Sequence, residues 1–172
     1  MKKLLIILLC LPMIGFGQNV NIPDANFKAY LVGNSAINTN GDTEIQVSEA
    51  SAFNGTINCS YLNISDLTGI ETFTALTELE CFANQLTILD VSQNSALTYL
   101  NCNYNQLTSL DVSNNTALTY LYCEPAGIFN QLTSLDISNN INLNTLICRN
   151  NQLTSLDISN NINLNTLICP NN

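Results

Sequence analysis

The stretch Leu76-Thr77-Glu78-Leu79-Glu80-Cys81-Phe82-Ala83-Asn84-Gln85-Leu86-Thr87-Ile88-Leu89-Asp90-Val91-Ser92-Gln93-Asn94 decides the fold. It returns with few changes from Leu97, Leu118, Leu143 and Leu164, a period of 21 residues. The third coil is lengthened by four residues around positions 124–129, and the last stops at Asn172 as an incomplete coil. A fixed period of this size marks a solenoid, in which each coil buries its apolar side only against its neighbours. One unit reads L-x-x-L-x-C-x-x-N-x-L-x-x-L-D-[VI]-S-x-N, two half-repeats of similar design. Strand alternation then turns Leu79 and Cys81 inward and Glu80 and Phe82 outward. Two columns of asparagine follow: Asn84, Asn105, Asn130, Asn151 and Asn172 in one half, Asn94, Asn115, Asn140 and Asn161 in the other. Each is expected to turn the backbone and to donate and accept hydrogen bonds between coils, so that no buried peptide group is left alone. The reading is a mainly β solenoid of parallel strands stacked about 4.8 Å apart.

Leu76, Leu79, Cys81, Asn84 and Leu86 resemble the leucine-rich-repeat signature L-x-x-L-x-L-x-x-N/C-x-L, with Cys in place of the third Leu. The nested second half, Leu86, Leu89, Asp90, Val91 and Asn94, is similar to the bacterial subclass with two half-repeats per 21-residue coil, called IRREKO. The resemblance covers residues 59–172 and implies an arc or near-straight solenoid that recognises another macromolecule. The leader, the asparagine-rich coils and the stretch Asn21-Ile22-Pro23-Asp24-Ala25-Asn26-Phe27 are also similar to exported leucine-rich-repeat proteins of Bacteroidetes, many of which carry a C-terminal sorting domain.

Residues 1–17 show the three-part pattern of a secretory signal: Lys2 and Lys3, an apolar run over 4–13, then Gly15 and Gly17 before Gln18. The run is shorter than the ~20 residues a membrane-spanning helix needs, so no transmembrane segment is expected after cleavage. The protein is therefore expected to be secreted or held at the cell surface. After removal of the leader the basic residues are Lys28 and Arg149, against 13 acidic ones in the whole chain. Nucleic acids are bound largely by neutralising phosphates, so this balance excludes them as partners. No histidine is present, which removes the usual general base near neutral pH and every Ser-His or Cys-His nucleophile. Two carboxylates converging in a cleft would suffice for a glycosidase, but columns of aspartate on a solenoid diverge from any cleft. Catalysis is not expected.

The segment 18–58 reads as a helical N-terminal cap over the first coil, with the solenoid proper over 59–172. Phe27, Tyr30 and Leu31 fall at helical spacing over 23–32 behind Asp24, and a second short helix is expected over 48–53. Between them Asn38, Asn40, Asp42 and Glu49 stand at the first, third, fifth and twelfth places of a loop similar to an EF-hand, and Ile45 at the eighth. The neutral Asn38, and Thr43 where a glycine usually makes the turn, depart from that pattern. Two readings stand: a weak extracellular-range calcium site, the only cofactor considered, or a hydrogen-bonded turn within the cap.

Cys59, Cys81, Cys102, Cys123, Cys148 and Cys169 occupy the inward slot of successive strands. An even count in an exported chain allows disulfides, but side chains stacked in register point alike, and the favoured reading is a ladder of buried thiols. No C-x-x-C pair offers a tetrahedral metal site.

On the outward positions the two halves differ. The second half repeats Asp90, Asp111, Asp136 and Asp157 with Ser92, Ser113, Ser138 and Ser159. The first half varies: Glu78, Glu80 and Phe82, then Tyr99, Asn101 and Asn103, then Tyr120, Tyr122 and Glu124, then Thr145, Ile147 and Arg149. Rigidly displayed aromatics give contact area at low entropy cost. The candidate ligand-binding face is therefore Phe82, Tyr99, Tyr120, Tyr122, Ile147 and Arg149, with the inserted loop 125–129 beside it. The function expected is an extracellular binding scaffold that recognises a protein or glycan at the cell exterior. The alternative is a non-catalytic spacer or surface-coat element, since residues 130–150 and 151–171 differ only at Arg149 and Pro170.

Overall fold

A computed structural model describes residues 17–124 and 131–172. The leader, apart from Gly17, lies outside the described residues, as do the inserted loop 125–129 and Asn130.

The chain opens with helix α1 (Ala25–Gly33), which buries Phe27 and Leu31. Asp24 sits just before it as the N-cap, its carboxylate accepting from the backbone N–H groups of Asn26 at 2.9 Å and Phe27 at 3.0 Å. Helix α2 (Val47–Ala52) starts with a capping box in which the Gln46 and Glu49 side chains each take the other's backbone N–H. Both helices therefore lie within two residues of the spans read from spacing. Asp24 is the cap of α1 rather than a member of its first turn, because its short side chain satisfies two of the orphan donors there.

Six three-residue strands follow: β1 (Thr56–Asn58), β2 (Glu78–Glu80), β3 (Tyr99–Asn101), β4 (Tyr120–Tyr122), β5 (Thr145–Ile147) and β6 (Thr166–Ile168). They form one parallel sheet in chain order, each strand shifted by one coil and none by register. The fold is a parallel-strand solenoid of leucine-rich-repeat coils. Their central residues Ile57, Leu79, Leu100, Leu121 and Leu146 are wholly buried, as are Cys59, Cys81, Cys102, Cys123 and Cys148 in the next inward slot. The outer edge of β1 is closed by the N-terminal segment. The Asn58 N–H donates to the Tyr30 hydroxyl at 2.9 Å, and Asp24 accepts from the Ser65 backbone N–H at 2.8 Å. An edge that would otherwise template another strand is thus covered.

The second half-repeat is not a strand. It contributes only an isolated bridge, Asp90 to Asp111, and its path is made of turns. The outward positions of the two half-repeats, which the sequence pattern treats alike as strand positions, therefore give one strand face and not two. The cause is local: each aspartate accepts from the backbone N–H of the serine two residues on at 2.9 Å, at Asp90, Asp111, Asp136 and Asp157 alike. Such a side-chain turn competes with a ladder for the backbone donor.

The asparagine columns join one coil to the next. The Asn105 amide donates to the carbonyls of Cys81 and Cys102, at 3.0 and 3.1 Å, while its oxygen accepts from the Leu86 N–H. Asn84 and Asn151 repeat the arrangement. The other column behaves differently: Asn94, Asn115, Asn140 and Asn161 each donate to two buried carbonyls, yet their side-chain oxygens meet no hydrogen-bond partner among the described residues. Asn105→Ala should cost about 2–4 kcal/mol, because buried carbonyls lose their donor. Asn105→Asp should cost at least as much, since it turns carboxylate oxygens toward those carbonyls. Thermal melts followed by circular dichroism check both, and an Asp variant as stable as the parent would contradict the donor role.

Among the described residues there is no disulfide; the six cysteines of the column are thiols, five of them buried. The Cys81 and Cys102 thiols donate to the carbonyls of Asn101 and Tyr122 in the following coil. Burial pushes Cys59, Cys102 and Cys148 up to about 12 and Cys81 and Cys123 well above the ordinary value. Below pH 9.0 these thiols are protonated in both folded and unfolded chains, so their contribution is complete there. Above it the unfolded chain ionises first, and stability falls as pH rises toward about 12. The expected result is a melting temperature that drops through that window, with a shallower slope in Cys102→Ala.

Candidate functional site

The face of the sheet that looks away from the core carries two rows set by the strand register. Glu78, Tyr99, Tyr120 and Thr145 lie side by side across β2 to β5, and so do Glu80, Asn101, Tyr122 and Ile147. Three of the sequence-selected aromatics meet there. The Tyr99 ring is 5.9 Å from that of Tyr120 and 5.5 Å from that of Tyr122, both tilted, within the range at which aromatic pairs attract. Tyr120 is the most open of the three, at 40% exposure, while Tyr99 and Tyr122 are half-buried. Burial first, then the charge of Glu80, the neighbouring Tyr122 and Glu78, raise the Tyr99 phenol above its ordinary 10.0.

Phe82 does not join this cluster. It packs edge-on against Tyr61 with centroids 4.6 Å apart, toward the first coil. Tyr61, 68% exposed, is an aromatic that the strand pattern does not single out. It stands two residues after Cys59, in the column that also holds Ala83, Tyr104, Asn150 and Asn171, all at positive φ near 60°. That left-handed turn suits asparagine and is costly for tyrosine, so Tyr61 and Tyr104 are held there by their surroundings. A bulky residue in a column otherwise fit for asparagine is the signal that would have found them.

Two positions expected to be exposed are buried: Glu124 at 6% and Thr145 at 9%. Glu124 is drawn in by its partners, for its N–H donates to the Asn103 side chain at 2.6 Å and its carboxylate pairs with the Arg149 guanidinium at 2.7 Å. Thr145 is a short side chain in the row between Tyr120 and Thr166. Arg149 is consequently a committed cation, its pKa raised by Glu124 first and more weakly by Tyr104. Ile147 is half-buried beside Tyr122. An open groove of ≈ 590 Å³ adjoins Tyr120, lined by Asn142, Asn144, Asn163 and Asn165 with Ile162.

The loop of Asn38, Asn40, Asp42 and Glu49 closes upon itself. Glu49 accepts from the Thr39 backbone and hydroxyl and from the Asn40 N–H with one oxygen, and from the Gln46 N–H with the other. Asn38 accepts from Gly41 and Asn40 from Asp42, while the Asp42 carboxylate takes donors from Glu44, Asn40 and Gln46. The side-chain oxygens of Asn38, Asn40, Asp42 and Glu49 thus each accept hydrogen bonds that fold the loop into a turn. Desolvation opposes ionisation of Glu49, but these bonds together lower its pKa. Among the described residues no group of three or more acids, cysteines or histidines is placed to hold a metal.

Stacked 21-residue coils, an inward thiol column and one variable sheet face define a bacterial-type leucine-rich-repeat solenoid. Solved structures similar to it include internalins and another bacterial leucine-rich-repeat protein. The functional domain of InlJ from Listeria monocytogenes, which includes a cysteine ladder, is 41% identical over 90% of this chain, with a TM-score of 0.78. The internalin InlF from Listeria monocytogenes is 27% identical over 72% of the chain at 0.61, and the Leptospira interrogans leucine-rich-repeat protein LIC12759 is 26% identical over 72% at 0.61. The chain spans 34%, 37% and 33% of those three structures, about a third of each. No family sequence profile matches the chain, and no curated protein does. Among the described residues no helix is long and apolar enough to cross a membrane.

Arg149→Ala should lower stability measurably, since it strips the guanidinium from the buried Glu124 carboxylate. Glu124→Gln in the same chain should restore part of the loss. Urea unfolding of the single and double variants measures this, and an unchanged midpoint for Arg149→Ala would remove the pair from the account.

Proposed function

We propose that this chain is a non-catalytic recognition scaffold of the cell exterior, exported through the leader at 1–17, that binds a protein through the tyrosine-bearing face of its sheet. The single observation that carries this is the cluster of Tyr99, Tyr120 and Tyr122 on a sheet whose backbone is fixed by neighbours on both sides. Tyrosine on a rigid support binds with little loss of side-chain freedom, which is why such residues anchor interfaces. The relation to internalin structures supports the same reading. Within it, Ile147 extends the apolar part of the face beside Tyr122, and Phe82 forms a separate aromatic contact with Tyr61. Arg149 is a rim residue held by Glu124. A glycan is the second reading, favoured by the amide-lined groove that touches Tyr120, because planar amides and an aromatic ring suit sugar hydroxyls and sugar faces.

The test is a binding panel of surface proteins and glycans against the chain lacking its leader, with the Tyr120→Ala/Tyr122→Ala variant alongside. Saturable binding weakened at least about tenfold in the variant is the expected result, since two interface tyrosines contribute more than 1 kcal/mol together. Binding unaffected by the variant would move the site elsewhere. No binding at all, with the fold intact, would favour a spacer element.

A further inference from the structure

Negative charge and aromatic rings meet on one side of this face, and among the described residues no cation answers them. Both described basic residues are already held: Lys28 by Glu44 at 2.7 Å and Arg149 by Glu124 at 2.7 Å. Glu78 and Glu80 thus have no cationic partner among the described residues. Both are half-buried, project from the two ends of β2, and stand next in register to Tyr99 and Asn101. Glu78 is steadied by the Thr56 hydroxyl at 2.7 Å. Tyr99 on β3 stands in register between Glu78 of β2 and Tyr120 of β4, its ring close to those of Tyr120 and Tyr122.

We propose that the Glu78, Glu80, Tyr99, Tyr120 and Tyr122 patch receives a lysine or arginine side chain of a partner protein. The inference rests on the reading of this face as a recognition site and names the chemistry of its partner. A cation over a tyrosine ring is attracted by the ring's electron-rich face, and partial desolvation strengthens that attraction. The two carboxylates supply charge at the rim, where it steers approach and adds the modest affinity of two partly exposed ion pairs. The far end of the same face already shows an answer of this kind. There the Arg149 guanidinium sits on the Glu124 carboxylate at 2.7 Å, and Tyr104 adds weakly to the field that favours its charge. A neutral ligand would leave Glu78 and Glu80 partly desolvated without compensation.

The experiment titrates the chain lacking its leader with terminally blocked tetralysine and, separately, with the same peptide acetylated on every side-chain amine. Tyrosine ring resonances are followed by NMR. Saturable shifts of Tyr99, Tyr120 and Tyr122 with tetralysine, absent with the acetylated peptide, are expected. Glu78→Gln/Glu80→Gln should weaken that binding about tenfold, as two partly exposed ion pairs would, and Asp136→Asn/Asp157→Asn by less than about twofold. The aspartate variant removes equal charge from the opposite half of the coil, so an equal loss in both would overturn the site in favour of bulk charge. Equal binding of the acetylated peptide at the tyrosines would overturn the cationic chemistry while leaving the face a recognition site. Tyrosine signals unmoved by either peptide would overturn the proposal alone, if the protein panel still shows binding that depends on Tyr120 and Tyr122. Both in default would remove the recognition reading as well. The acetylated arm alters no residue of the protein, so the outcome does not hang on the folding of a variant.

Discussion

The structure depends on how buried peptide groups are satisfied between coils. A three-residue strand offers few ladder bonds, and a coil of 21 residues must turn repeatedly inside a dry core. At each turn carbonyls point along the stack with no strand to receive them, and such groups are costly when left alone. The asparagine side chain ends this problem with one amide. It reaches the carbonyl of its own coil and that of the coil before, as Asn105 does with Cys102 and Cys81, and so adds neighbour-to-neighbour coupling that leucine packing alone would not orient. In the second half-repeat Asn94, Asn115, Asn140 and Asn161 use only their donors. Their unpartnered oxygens show which part of the amide matters. Aspartate is nearly the same shape and would bring no donor, so the column is asparagine for its N–H groups.

Around that constraint the inward slots follow from volume and polarity. Cysteine takes the place where a standard coil carries leucine, being small, apolar and able to donate weakly to the next coil's carbonyl. Its thiol is kept protonated by burial, which also makes it a poor nucleophile. The ladder is therefore a packing device. Inward leucines and cysteines, bridging asparagines and the Asp-x-Ser turns together specify one coil, and repetition carries that specification along the chain.

Much of this was legible in the sequence because period and alternation report directly on burial. The 21-residue repeat gave the stacked strands, and the first-half pattern placed Leu79 and Cys81 inside as found. The second half misled because an apolar residue beside Asp-x-Ser alternates like a strand, while the aspartate side chain takes the donor that a ladder would need. The recognition face was legible only as a set of outward positions. Sequence alternation cannot say that Tyr99 gathers Tyr120 and Tyr122 while Phe82 turns to Tyr61, since both follow from ring packing across coils. Nor can it say that Arg149 reaches back one coil to Glu124, which joins two apparent surface charges into one pair whose carboxylate is buried and whose guanidinium stays exposed.

This division between a specified interior and a permissive face bears on where specificity can reside. The coils over 130–150 and 151–171 are almost copies, and β5 and β6 present the same Thr-Leu-Ile. They extend the stack without adding a distinct surface. The coils carrying β2, β3 and β4 keep the same inward leucine and cysteine but present Glu, Tyr and Asn outward in combinations that do not repeat. Because interior residues alone set the register, outward substitutions there alter chemistry without moving the backbone that displays it. A rigid sheet also keeps the tyrosine rings within reach of the carboxylates before any ligand arrives, so little ordering is required on binding. Stability is spread along the whole repeat, whereas the means to discriminate among ligands is concentrated where the copies have diverged.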